Sequence, residues 1–387
     1  MKKSLVLLLI IALLITPCLV IFESVSAFPS LNAASMSVAR HDLGVAVVDD
    51  KIYAIGGDAR YGAWPYSGST VGTNEEYNPA TDTWTTKASM PTARSQFAIT
   101  AYQGKIYCFG GQVTAVEVYD PTTDIWENKT AMPTARWGLQ ANAVNGKIYL
   151  IGGYTRASEF PTNLTEVYDP VTDSWTTAAP IPLSKEPCIT AVIDEKIHCI
   201  ASSSKHLVYD PQTNTWSTAA PSSAGLGYSA VAAATSGVNA SKRLYVFGGS
   251  FSEETASKPK IYDPATDSWT LGNYLQAHRM GFAVAVVDDV FYVIGGCTRV
   301  PDADHFGDTV TLYADNERYL PQGYGTPDPS YVESTPNVTA SPQETTALSP
   351  PQDGSFAWWW VVGVLAVAIA VVCAVVFVYL RRRSKKS

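Results

Sequence analysis

The sequence predicts an all-β fold: six similar four-stranded units closed into a ring, with one membrane-spanning helix near the C-terminus. Three observations predict it. A hydrophobic strand ending in two glycines recurs through the chain. A Tyr followed seven residues later by a Trp recurs behind it. A charge-free apolar stretch near the end runs directly into five basic residues. The composition agrees. In 387 residues, 46% hydrophobic and 16% charged, there are 10 Trp, 21 Tyr, 27 Gly and 24 Pro, which excludes a disordered chain and favours short strands and turns over helical bundles.

The first signal reads Ile52–Gly57, Ile106–Gly111, Ile148–Gly153, Leu244–Gly249 and Phe291–Gly296, ending in Gly56-Gly57, Gly110-Gly111, Gly152-Gly153, Gly248-Gly249 and Gly295-Gly296. A degenerate copy is Ile197–Ser202. The second pairs Tyr77 with Trp84, Tyr119 with Trp126, Tyr168 with Trp175, Tyr209 with Trp216 and Tyr262 with Trp269, so successive Trp lie 42, 49, 41 and 53 residues apart. A period in this range marks stacked or radial repeats, here six of them.

Each unit reads as four strands. The first meets the second through a two-residue turn (Asp49-Asp50, Gln103-Gly104, Asn145-Gly146, Asp194-Glu195, Asp288-Asp289), and these residue types tolerate the positive φ of tight hairpins. The glycine pair ends the second strand where backbones come too close for a Cβ. A third strand ends at the Tyr, an Asp-Pro type turn follows, and the fourth strand carries the Trp. Second strands are apolar on both faces, as befits a sheet sandwiched between two others.

These residues resemble the kelch-repeat β-propellers, whose units carry the same Gly-Gly, Tyr-Asp-Pro and Trp in the same order. The resemblance covers about Phe28 to Gly325 and implies a six-bladed propeller. Unit four departs from it with Ala201-Ser202, and unit six with Tyr313 followed by Ala314-Asp315 and no Trp, so the sixth blade lacks its outer strand. Ser35–Arg40 matches Ser89–Arg94, the stretch after a Trp strand. Residues 28–34 are therefore the expected donor of the missing strand, and Arg318–Tyr324 is the competing one.

The resemblance also implies where a ligand would bind: loops after the glycine pair and loops leading into each first strand meet around the central channel. By position the inbound loops contribute Arg40, His41, Asp42, Arg94, Gln96, Arg136, Trp137, Glu186 and Arg279, and the post-glycine loops contribute Tyr61, Trp64, Tyr154, Arg156, Phe251 and Arg299. Aromatic rings beside charged forks suit carbohydrate or protein ligands. The recurrence of Arg40, Arg94, Arg136 and Arg279 equally fits arginines that brace the rim. Trp84, Trp126, Trp175, Trp216 and Trp269 are assigned to packing between blades.

Catalytic signals are few. His41, His198, His206, His278 and His305 have no zinc- or copper-type spacing, and Asp302, Asp304, Gly307 and Asp308 make a poor calcium loop because Phe306 occupies a ligand position. No metal and no cofactor are expected. The function expected is a cell-surface binding or adhesion module for a carbohydrate or protein; the alternative is an extracytoplasmic sugar-processing enzyme, like the epimerase and oxidase relatives among kelch-type proteins.

The termini set the compartment. Residues 1–27, with Lys2, Lys3 and the apolar run to Phe22 before Val25-Ser26-Ala27, read as a signal peptide. Residues 28–325 form the propeller. Residues 326–355, rich in Pro, Thr and Ser, read as an extended stalk. Residues 356–380 hold the charge-free span from Phe356 to Tyr379, long enough to cross the ~30 Å hydrocarbon layer, and residues 381–387 are a basic cytoplasmic tail. The propeller is thus expected outside the cell membrane, as a monomer. Residues 28–355 carry 20 basic and 34 acidic side chains, a balance of −14 that argues against nucleic acid as partner. Asn128, Asn163, Asn239 and Asn337 head glycosylation tripeptides. Four cysteines remain outside (Cys108, Cys188, Cys199, Cys297) and are expected as buried thiols, a diagonal Cys188–Cys199 bridge being the alternative.

Overall fold

A computed structural model describes residues 32–60, 70–158, 160–183, 185–222, 231–248, 258–275, 279–301, 308–326 and 328. These form six four-stranded antiparallel sheets and one two-stranded hairpin. Blade one is Gly44–Val48, Lys51–Ile55, Asn74–Asn78 and Thr83–Lys87, paired in that order, and blades two to five repeat the pattern. The first strands of successive blades touch around a full circle, blade six returning to blade one.

The second strands are buried along both faces, as their composition requires: Ile52, Ala54 and Ile55 are fully covered, and Ile106, Cys108 and Phe109 likewise. The core therefore lies between blades. Tyr53, Ile55, Ile106, Cys108 and Tyr119, for example, form one cluster shared by blades one and two. The hairpin turns take the conformation their residues allow, with φ of 49° and 56° at Asp49 and Asp50.

Blade six closes the ring, and the N-terminus is the donor. Asn32–Ala33 pairs with Asn316–Tyr319, which pairs with Val290–Ile294. One expectation needs correction. The third strand of blade six ends at Tyr319, not at Tyr313. Between them and the second strand lies an added hairpin, Cys297–Pro301 with Asp308–Leu312, and Tyr313 follows that insertion. Arg318 and Tyr319 therefore belong to the third strand rather than competing for the fourth.

The repeat Tyr, Asp and Trp act together as a clasp between blades. Tyr119 donates to Asp124 at 2.6 Å, Asp124 accepts the Ala88 N–H at 2.8 Å, and the Trp126 indole donates to the Ala88 carbonyl at 2.8 Å. Blade two thus grips both backbone groups of one residue on blade one. The same pair of bonds holds Ala34, Thr130, Ala179 and Ala220. The Trp rings are half-buried in this role. At the remaining junction, between blades five and six, Tyr319 accepts the Asn273 N–H at 3.2 Å, and Tyr245, Phe247 and Phe291 pack around it.

After Tyr319 the chain turns under blade five, where Gly325 donates to the Asn239 carbonyl and Asp328 accepts from the Lys242 N–H. Asn128 and Asn163 are exposed, whereas the Asn239 amide is tied to the Asp288 carbonyl at 3.1 Å. Cys108, Cys199 and Cys297 are buried, Cys188 is half-buried, and all four are free; Thr190, not Cys188, lies opposite Cys199. Burial pushes the Cys108 thiol up to about 12. Among the described residues no helix is long and apolar enough to cross a membrane. The expected signal, stalk beyond Asp328, membrane span, tail and Asn337 lie outside the described residues.

Candidate functional site

The loops leading into the first strands are fixed by a repeated device that explains the paired glycines. Arg94 of blade two turns its backbone carbonyl to the N–H of Gly57 on blade one, at 2.9 Å, and a Cβ on Gly56 would lie 2.6 Å from that oxygen. Arg136 does the same for Gly111, and Arg40 for Gly296. The glycines also take positive φ, 63° and 99° at Gly56 and Gly57, where a side chain would be strained.

The arginine side chains run inward. Arg40, Arg94, Arg136 and Arg279 are 0–5% exposed and meet Glu75, Glu117, Glu166 and Glu317, with N–O distances of 2.7 and 3.0 Å in the last two pairs. Each glutamate lies two residues before the repeat Tyr, on the third strand. In blades one to three a hydroxyl satisfies the other carboxylate oxygen: Ser37 on Glu75, Thr92 on Glu117 and Thr134 on Glu166. The four arginines therefore brace the blades from within and do not line the rim as a ligand contact. Blade four has lost both partners together: exposed Lys185 stands in the Arg position and Leu207 in that of the Glu. Blade five has buried Lys260 there, its ammonium pushed down by burial.

The residues just after the arginines form the mouth. Asp42, Gln96, Gly138 and Gly281 all take positive φ, and their backbones bond in series: Asp42 donates to Gly281, Gln96 to Asp42 and Gly138 to Gln96, at 2.7, 3.1 and 2.8 Å. This belt crosses blades six, one, two and three. It stops at blade four, where Pro187 has no N–H to continue it. Inside the belt is a cavity of about 330 Å³, within the range of ligand pockets. Its polar lining includes Asp42, Gln96, Gln140 and Ser202, its apolar wall Leu43, Phe97, Leu139, Ile189 and Phe282. At the lip Trp137 and Tyr154 stack at 5.8 Å and 20°, held by reciprocal backbone bonds.

Of the expected rim residues, the structure thus brings together Asp42, Gln96, Trp137 and Tyr154. His41 sits just behind Asp42, with Nδ1 3.1 Å from its carboxylate. Burial would lower the imidazole, but Asp42 and then Asp58 outweigh it and raise it above its ordinary value. His41, Asp42 and Asp58 each offer a ligand atom within 4.8 Å of the others, the one such trio among the described residues. Bonds from Gln96 to Asp42 and from Thr70 to Asp58 already tie these carboxylates, so the trio forms without an ion. Glu186 pairs with Lys205 and Arg156 reaches Gln112 at 3.4 Å, both outside the cavity lining. Tyr61, Trp64 and Phe251 and the side chain of Arg299 lie outside the described residues, as do Asp302 and Asp304 of the weak calcium loop. Sequence reasoning missed the glutamates, though their co-occurrence with the arginines, unit by unit, was a readable signal.

Comparison with known proteins matches residues 40–225 to the family described as the KLHDC2/KLHL20/DRC7 Kelch-repeats domain. Over those residues the chain carries kelch repeats, and its described strands form a six-bladed β-propeller. Curated relatives of this kelch propeller include Kelch-like protein 28 of Homo sapiens, 32% identical over 85 residues, which are 21% of this chain and 14% of that protein. Kelch-like protein terF of Aspergillus terreus is 31% identical over 86 residues (22% and 18%), and Beta-scruin of Limulus polyphemus 35% over 81 (21% and 8%). The propeller thus matches less than a fifth of the length of each. Among solved structures, that of YjhT superposes with a TM-score of 0.58 at 18% identity, over 75% of this chain and 97% of that one, a likeness of fold.

Proposed function

We propose that this kelch propeller is a membrane-tethered, outward-facing binding module that takes part of a protein or carbohydrate ligand into the channel mouth. The observation that carries the reading is the cavity of about 330 Å³ with the stacked Trp137 and Tyr154 at its lip. A preformed concave site with an apolar wall, few polar groups and exposed aromatic edges is what small recognition elements require. Membrane tethering and outward orientation rest on the apolar run Phe356–Tyr379, the basic residues after it, and the signal-like N-terminus. The enzyme reading gains no support. The arginines that would hold a sugar acid are engaged in buried ion pairs, and no described nucleophile and base converge in the cavity.

The test is array binding of the full-length protein in detergent, on glycans and on peptides, beside Trp137→Ala and Tyr154→Ala. The reading expects both variants to lose at least tenfold in affinity for whatever the parent binds. Undiminished binding by both would place the ligand elsewhere. Protease added to intact cells is expected to digest the propeller; full protection would refute the outward orientation.

A further inference from the structure

Among the described residues the cavity is lined by one sign of charge. Asp42 contributes the only formally charged side chain of that described lining, and the described cations of the neighbouring loops face elsewhere. Arg40, Arg94, Arg136 and Arg279 are buried against glutamates, Lys185 lies over the Phe160 ring at 4.3 Å, and Arg156 reaches Gln112. Asp58 stands behind Asp42, so the His41 trio sets two carboxylates against one imidazole and stays net negative even when that imidazole carries its proton. We infer that the mouth selects a basic side chain, the lysine or arginine of a protein partner, and rejects acidic ligands. This rests on the binding reading above and gives it a ligand chemistry.

Four features fit such a side chain. The Asp42 carboxylate is positioned in advance: its residue is held at a φ of 52°, and Gln96 donates to Oδ2 at 3.0 Å. A fixed carboxylate receives an ammonium or guanidinium at lower ordering cost than a mobile one. The Trp137 and Tyr154 rings offer π faces that attract a cation passing the lip. Leu43, Phe97, Leu139 and Phe282 give an apolar wall along which a methylene stem can lie while its charged end stays at Asp42. A sugar ring, with a hydroxyl on nearly every carbon, would leave many of its polar groups facing that wall. Finally, the −14 balance of residues 28–355 steers cationic partners inward and acidic ones away.

The test uses fluorescent nonapeptides of Ala and Ser that differ only at the central residue: Lys, Arg, acetyl-lysine, norleucine or Glu. Anisotropy with the full-length protein in detergent is expected to show Lys and Arg binding at least tenfold tighter than norleucine, acetyl-lysine close to norleucine, and Glu weakest. Asp42→Asn, which keeps a residue tolerant of positive φ, is expected to bring Lys down to the norleucine level and leave norleucine unchanged. Trp137→Ala is expected to weaken every peptide. A Glu preference, or a Lys preference that survives in Asp42→Asn, would overturn the charge assignment and leave a binding cavity standing. Absence of binding by the whole series, with ligands of other charge captured at the same mouth, would also overturn it; absence of any ligand there would overturn the binding reading itself.

Discussion

Blades six, one, two and three are built to one plan, and blades four and five depart from it. The regular arc has an Arg–Glu pair in every blade and a continuous belt of backbone bonds around the mouth. Blade four has Lys185 and Leu207 in place of the pair, Ala201-Ser202 in place of the glycines and Pro187 in place of the belt donor; blade five has Lys260 in place of the glutamate. The losses come together because each part serves another. Without the arginine, a buried glutamate would be an uncompensated charge. The comparison teaches that the repeats carry two separable devices: an ion pair that holds a blade's own inbound loop, and a Tyr-Asp-Trp clasp that holds the neighbouring blade. Blade four has lost the first and kept the second, since Tyr209, Asn214 and Trp216 still grip Ala179.

The sharpest way to break the comparison is to remove one half of a pair. Glu117→Ala leaves the Arg94 guanidinium buried without its counter-charge, held only by the Gly110 and Ala115 carbonyls and the Met90 sulfur, with an expected loss of about 3–5 kcal/mol in urea unfolding. Lys185→Ala in blade four is expected to stay within about 0.5 kcal/mol of the parent. Equal losses would show that the arginine position has the same role in both halves.

The irregular half has its own pH dependence. His198 and His206 lie side by side at 2.9 Å in blade four, against Tyr262 and Trp269 of blade five. Burial first, and His206 next, lower His198 to about 4; burial lowers His206 to about 4 as well. Asp194 and Lys196 act on His198 with opposite signs, and Asp267 raises His206. Because the unfolded chain takes up these protons near pH 6.5 and the folded chain only near pH 4, stability falls as pH drops through that window and levels off below it. At 1.36 kcal/mol per pKa unit, the expected loss is roughly 3 kcal/mol for each of the two histidines. His206→Asn, which restores the residue that Asn74 provides in blade one, is expected to flatten the dependence of Tm on pH between 6.5 and 4. A slope unchanged by that variant would assign the acid sensitivity elsewhere.

Smaller effects separate the clasped junctions from the blade five–six seam. Trp126→Phe removes the indole donor from the Ala88 carbonyl, at an expected cost of about 1–2 kcal/mol. Tyr319→Phe removes one long bond and leaves the aromatic packing, at an expected cost of about 0.5–1 kcal/mol. Chemical denaturation of both variants ranks the two junctions.

Much of the ring was legible because its determinants are local. Gly pairs, Asp-Asp and Asn-Gly turns and Tyr-to-Trp spacing each fix a backbone conformation within a few residues, and the resemblance of Ser35–Arg40 to Ser89–Arg94 located the closing strand. What was not legible depended on partners far apart in the chain. Tyr313 imitates the repeat Tyr, and only pairing with Val290–Ile294 shows that Tyr319 takes its place behind an inserted hairpin. The arginines fit a ligand rim and a structural brace alike in the sequence because position alone gives no direction; their burial, which decides for the brace, follows from glutamates some 23–38 residues away. Asp42, Gln96, Trp137 and Tyr154 were named among the rim residues, but the charge character of the cavity emerged only once the arginines were seen to face inward.

Residue-resolved amide hydrogen exchange tests the central structural claim most directly, because the clasp names its own protected protons. The N–H groups of Ala34, Ala88, Thr130, Ala179 and Ala220 are expected to exchange slowly, within an order of magnitude of one another, and that of Asn273 at least tenfold faster. Fast exchange at Ala34 would contradict closure of the ring by the N-terminal strand, and equal protection at Asn273 would contradict a seam between blades five and six.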